Sequence, residues 1–193
     1  MVIVGTDPAE VERALFAGLL GCSGCDGELR PWGHARERVL RGRASVERRR
    51  PRRARCATCL VTHVLLAEDC LRRRRDLAEV IGGALAAKAS GVGHRRIAKA
   101  LGLERETVRG WLRRFSRWAD AVRELFTRWA HALDPQLSPL APTRSAFADA
   151  VEAIAAAARA ATARLGPRPP WSFASAVTRG ALLANTSSPW SAP

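Results

Sequence analysis

Tyrosine is absent from this chain of 193 residues, lysine occurs only at Lys88 and Lys99, and no stretch of about 20 uncharged apolar residues is present. Each absence excludes something. Without a long apolar run, no membrane-spanning helix is expected. The alanine-rich segment 146–165 is interrupted by Asp149, Glu152, Arg159 and Arg164. The short apolar stretch Ala14–Leu20 follows Asp7, Glu10 and Glu12, the wrong charge for a secretory signal. A cytoplasmic location is therefore expected, and in a reducing compartment cysteines hold metal or stay free rather than pair. The lack of tyrosine removes a stacking aromatic common on RNA-reading sheets, and the tryptophans mostly fit helical stripes. The scarcity of lysine explains why the positive charge is arginine, but not where that charge sits.

The formal net charge is +14, and its distribution is uneven. Residues 1–70 carry 12 basic and 9 acidic side chains, residues 71–118 carry 13 and 4, and residues 119–193 carry 7 and 5. Within the first stretch, Glu28 to Arg55 alone holds 11 basic and 3 acidic groups. A clustered positive field of this kind points to nucleic acid as partner.

Helix signals open the chain: Asp7 as N-cap, Pro8 at the first helical position and Glu10 in the first turn, with Gly21 as the stop. Residues 22–59 are rich in Gly and Arg, with alternation in Arg36–Arg41 and Arg48–Arg55 that suits short hairpins. From Leu71 the apolar period becomes helical. Leu77, Val80, Ile81, Ala84 and Leu85 share a face, Ser90–Gly93 breaks it, a short helix covers His94–Leu101, and a third runs from near Glu104 as far as Leu133. Pro135, Pro139 and Pro142 mark a linker. Residues 144–165 form an amphipathic helix, a last helix is expected near 173–184, and Asn185–Pro193 should fray. The expected fold is mainly α: an N-terminal helix (1–21), a small zinc ribbon of short β-hairpins (22–69), a helix-turn-helix domain with an extended third helix (70–134), and a linker, helix and tail (135–193).

Cys22-x2-Cys25 and Cys56-x2-Cys59 carry the strongest chemical signal. Two residues between thiolates let one tight turn aim both at one ion, and two such turns supply the four sulfurs of a tetrahedral structural zinc. The 30 residues between the pairs leave room for an extra hairpin. A redox CxxC needs only one pair and a thioredoxin-like context, and a disulfide suits a secreted chain. His34 or His63 could replace one cysteine. Cys70 is left over and is expected to be buried rather than on the metal. Four thiolates leave no open position for water, so the metal is expected to fold a polar segment rather than to catalyse.

Residues 94–113, HRRIAKALGLERETVRGWLR, have the pattern of a helix-turn-helix. Ile97, Ala98 and Leu101 make the inner face of one helix, Gly102 sits where the turn needs positive φ, and Val108, Trp111, Leu112 and Phe115 form a buried stripe on the next. The opposite face is basic and suits a major groove. The expected DNA-contacting set is Arg95, Arg96, Glu106, Thr107, Arg109, Arg113, Arg114 and Arg117. Arg48, Arg49, Arg52, Arg53, Arg73 and Arg74 are expected to contact phosphates, because dense arginine runs offer charge but little geometry.

The segment GHRRIAKALGLERETVRGWLRRF (93–115) resembles the helix-turn-helix near the N-terminus of many bacterial insertion-sequence transposases, where a zinc ribbon commonly precedes it. The stretches LRPWGHAR (29–36) and RPRRARCATCLVTHVLL (50–66) are similar to short bacterial proteins related to those N-termini, and the likeness reaches into ALLANTSSPW (181–190). The resemblance implies double-stranded DNA as partner, read by the third helix. One departure is Glu104, where such motifs often carry Ser or Thr as the recognition-helix cap. No catalytic domain comes with the resemblance: after residue 118 the only carboxylates are Asp120, Glu124, Asp134, Asp149 and Glu152, without strand signals around them. The chain is therefore read as a DNA-binding regulator, or an accessory or remnant of transposition, and not as an enzyme. The alternatives are a protein-interaction adaptor using the alanine-rich half, or a nuclease or transposase with an unrecognised centre. Finally, Val108, Phe115, Val122 and Trp129 recur every seven residues, which requires a partner helix. That partner is either the chain's own 144–165 helix or a second copy, giving a homodimer through residues 108–133.

Overall fold

A computed structural model describes residues 1–184. It corrects the expected fold class, because the molecule is not mainly α. Among the described residues helix makes up 46% and strand 18%, as seven helices and a mixed four-stranded sheet, with a separate two-stranded hairpin. In chain order the elements are β1 (Val2–Val4), α1 (Pro8–Phe16), β2 (Leu29–His34), β3 (Arg38–Arg41), β4 (Val46–Arg49), β5 (Arg52–Cys56), β6 (Thr62–Ala67), α2 (Ala78–Ala89), α3 (His94–Leu101), α4 (Arg105–Arg117), α5 (Ala119–Leu133), α6 (Ala146–Leu165) and α7 (Pro170–Val177).

The sheet order is β1-β6-β5-β2, with β1 parallel to β6 and the other pairs antiparallel. In β5, Ala54 and Cys56 are buried while Arg53 and Arg55 point to the other face. β1 is only three residues long and is a strand because β6 offers it an edge. The inner face packs Leu29, Ala54, Cys56 and Leu65 against Leu15 of α1. Asp7 caps α1 as expected, accepting from the Ala9 amide at 2.8 Å.

The helices build a larger core that runs from Leu71 to Leu183. The expected single helix 104–133 is in fact two, because Trp118 leaves helical dihedrals (φ −115°, ψ 13°). The break lets one seven-residue pattern serve two partners. The α4 stripe faces α2, α3 and the start of α6, with Phe115 edge-on to Phe147 at 4.8 Å. Val122, Phe126 and Ala130 of α5 bury along α6, whose Ala150, Ala153, Ala157 and Ala161 keep the axes close. Ser145 caps α6, accepting from Ala148 N–H at 3.2 Å. α7 starts earlier than expected, at Pro170, and lays Trp171 on Gly82 of α2. The expected frayed tail, Asn185–Pro193, lies outside the described residues.

Ion pairs and a third small core join sheet to helices. Leu40 of the β3–β4 hairpin, Leu66 and Cys70 pack together with Ile3 and Leu77. The hairpin's arginines clamp the segment leading to α2: Arg41 Nε lies 2.9 Å from the buried Asp76, and Arg49 grips Asp69 with both terminal nitrogens at 2.6 and 2.7 Å. The Asp69 hydrogen bond holds the Arg49 guanidinium protonated well above its ordinary range. Ser175 Oγ donates to the Cys70 carbonyl at 2.6 Å, tying α7 to the same segment. Among the described residues no helix is long and apolar enough to cross a membrane.

Candidate metal centre and nucleic-acid interface

Two turns bring the four expected cysteines together. The first follows α1, where Cys22 N–H donates to the Gly27 carbonyl and Asp26 adopts φ 55°. The second closes β5, where Leu60, at φ 61°, donates to the Cys56 carbonyl and Cys56 N–H donates to Val61. The sulfurs of Cys22, Cys25, Cys56 and Cys59 all lie within 4.8 Å of one another and could hold a metal ion. The Cys22–Cys59 and Cys25–Cys56 separations are 3.7 and 3.5 Å. Gly27 allows the close approach of the turns, since a Cβ there would stand 2.9 Å from the Cys56 sulfur.

Backbone amides aim at the sulfurs, as thiolates require. Gly24 N–H points at Cys22 Sγ (3.4 Å), and Thr58 and Cys59 N–H point at Cys56 Sγ (3.3 and 3.4 Å). The Cys59 amide, followed by that of Thr58, brings the Cys56 thiol below the ordinary cysteine range against the opposing effect of burial. His63 is buried, and its Nε2 lies 3.3 Å from Cys22 Sγ, a hydrogen-bonding position beside the cluster. Burial holds its pKa below the ordinary histidine value. His34 is exposed at the far end of β2, opposite Arg52. Cys70 is buried away from the cluster in the loop before α2, and burial, then the Asp69 charge, push its thiol up to about 12.

The second constellation is α3, turn and α4. Gly102 caps α3 in the left-handed region (φ 62°, ψ 34°), and Leu103 and Glu104 complete a three-residue turn. Ile97, Ala98, Val108, Trp111, Leu112 and Phe115 are all buried. Glu104 makes no side-chain cap bond. Arg95, Arg96, Glu106, Arg109, Arg113 and Arg117 are exposed, whereas Thr107 and Arg114 are half-buried. Arg109 lies 3.6 Å from Glu106, an exposed pair of little energetic weight. Arg114 folds back on its own helix, with its guanidinium over Gly110. It also faces Arg74, whose pKa is lowered by burial and then by the Arg114 charge.

The six arginines expected on phosphates divide. Arg48 and Arg73 are exposed, Arg48 pairing with Glu37 at 2.9 Å. Arg49 is held by Glu47 and Asp69, Arg52 by Glu12 at 2.6 Å, and Arg74 by the Leu183 carbonyl at 3.0 Å. These three serve the fold. Arg53 is half-buried on the outer face of the sheet, its Nε without a hydrogen-bond partner.

One surface residue was missed from sequence. Trp32, given no role of its own from sequence, stands half-exposed on β2 with the Arg55 guanidinium 4.7 Å from its ring centre. The signal was its alternation with Leu29 and Pro31, concealed by the bulge between Pro31 and His34. Comparison of the chain with protein-family models, curated proteins and solved structures found no match to any of them.

Proposed function

We propose that this chain binds double-stranded DNA, with α4 entering the major groove and a zinc ion holding the ribbon at Cys22, Cys25, Cys56 and Cys59. The observation that carries the reading is the exposed arginine row of α4, set on a helix whose opposite stripe is fully buried. Arg109 and Arg113 lie one turn apart on that row. Because Trp111, Leu112 and Phe115 anchor the helix from behind, the two guanidiniums are presented at a fixed spacing to base edges, and arginine suits the O6 and N7 acceptors of guanine. Arg95, Arg96 and Arg117 flank the row and supply phosphate contacts.

Zinc is supported by the donor set. A tetrahedral ion with Zn–S bonds of about 2.3 Å separates its sulfurs by roughly 3.8 Å, close to the two separations seen here. Four thiolates fill the coordination sphere, so the ion's contribution is to fold, and the amides of Gly24, Thr58 and Cys59 stabilise the thiolate charge.

The test is binding of Arg109→Ala and Arg113→Ala to a selected duplex and to a scrambled duplex, with circular dichroism to verify folding. Each variant should lose about 1–3 kcal/mol on the selected site and little on the scrambled one. Equal losses on both would reduce the two side chains to phosphate contacts.

A further inference from the structure

The outer face of the sheet is built like a platform and is unused by the reading above. β2 and β5 pair with Arg30 opposite Arg55, and β5 and β6 pair with Arg53 opposite Val64 and Arg55 opposite Thr62. These residues therefore share one face, opposite to Leu29, Ala54, Cys56 and Leu65, which α1 covers. Trp32 rises from it with 51% of its surface exposed. The Arg55 guanidinium lies against one side of the indole and is anchored by its Nε, which donates to the Leu60 carbonyl at 3.1 Å. Arg30 of this patch pairs with Glu28 at 2.7 Å, while Arg53 and Arg55 make no ion pair with a carboxylate among the described residues.

We infer that this face binds single-stranded DNA, with one unpaired base stacked on the free side of Trp32 and the adjoining phosphates on Arg53 and Arg55. The occupant follows from complementarity. A flat, half-exposed indole beside unneutralised guanidiniums matches a ligand that alternates aromatic bases with anions, and a strand tolerates this arrangement whatever its sequence. A duplex does not fit, because its bases are stacked on one another and turn only their edges outward. The inference stands apart from the α4 reading, and different residues test each.

The experiment is fluorescence anisotropy with the full chain and a labelled oligo(dT) 12-mer at low salt, compared with the same chain on duplex DNA. Trp32→Ala should weaken oligo(dT) binding by about 5- to 150-fold, the range for losing one stacked base, and leave duplex binding within about twofold. Trp32→Phe should recover most of the loss, because a smaller ring still stacks. Arg109→Ala with Arg113→Ala should leave oligo(dT) binding unchanged. No detectable binding of oligo(dT) by the unaltered chain, or binding indifferent to Trp32→Ala, overturns the inference. A more than tenfold preference for oligo(U) over oligo(dT) overturns the assignment to DNA.

Discussion

Gly82 and Gly83 sit side by side in the middle of α2, and the structure requires them to respond oppositely to the same substitution. Replacing a mid-helix glycine by alanine stabilises the helix by about 1 kcal/mol, since it restricts the unfolded chain and favours helical dihedrals. At Gly83 a new Cβ meets only the Arg43 guanidinium, at 3.0 Å, the tip of a flexible side chain that can move aside. At Gly82 it would stand 2.0 Å from Cδ2 and 2.1 Å from Cγ of Trp171. Ordinary carbon contacts need about 3.5 Å, so the indole must retreat by roughly 1.5 Å. That ring is rigid and rooted in the first turn of α7, whose Phe173 packs against Phe126, so α7 must shift with it. Overpacking of this kind costs about 1–3 kcal/mol. With the helix gain set against the upper part of that range, Gly82→Ala should lose about 1–2 kcal/mol and Gly83→Ala should gain about 0.5–1 kcal/mol. At about 2–4 °C per kcal/mol for a chain of this size, Gly82→Ala lowers Tm by roughly 2–8 °C and Gly83→Ala raises it by roughly 1–4 °C. Thermal denaturation followed by far-UV circular dichroism reads both. If Gly82→Ala stabilises as much as Gly83→Ala, α7 is not seated on α2 through Trp171, and the joint between the C-terminal helices and the helix-turn-helix is wrong.

Purified protein should carry about one zinc per chain, and chelation should abolish the sheet while α2–α7 stay helical, because the ribbon and the helices have separate cores; elemental analysis without zinc sinks the assignment. Arg41→Ala leaves the buried Asp76 without its ion-pair partner and should cost about 2–4 kcal/mol by urea denaturation, the usual range for a broken buried pair reduced for the partial exposure of Arg41; an unchanged midpoint refutes the clamp. Asp149 is buried, takes the Thr143 backbone N–H and pairs with Arg123 at 2.9 Å; those contacts, the Thr143 amide first, hold its pKa below the ordinary 3.8. A depressed carboxylate contributes stability above its ordinary pKa and loses it as pH falls through the folded value. The Tm deficit of Asp149→Asn should therefore be full near neutral pH, shrink as pH falls below 3.8 and vanish once the folded carboxyl is protonated, and a deficit independent of pH would show that the charge is irrelevant.

Sequence alone determined what depends on neighbours along the chain. The two CxxC turns, the α3–turn–α4 pattern with Gly102 in the left-handed region, the buried stripe Val108–Phe115 and the cap at Asp7 are local arrangements, legible because a few adjacent residues dictate them. Tertiary structure decided whatever depends on a distant segment. Val2–Val4 is a strand only because β6, sixty residues on, presents an edge, and the helix expected to run from 104 to 133 breaks at Trp118 because its stripe must meet α2 and α3 on one side and α6 on the other. The same applies to charge. Along the chain, Arg48, Arg49, Arg52 and Arg53 look alike, but folding brings Asp69 and Glu47 to Arg49 and Glu12 to Arg52, which removes both from the surface field. Trp32 ends on an open sheet face because the pairing of β2 with β5, with its bulge after Pro31, sets the direction in which it points.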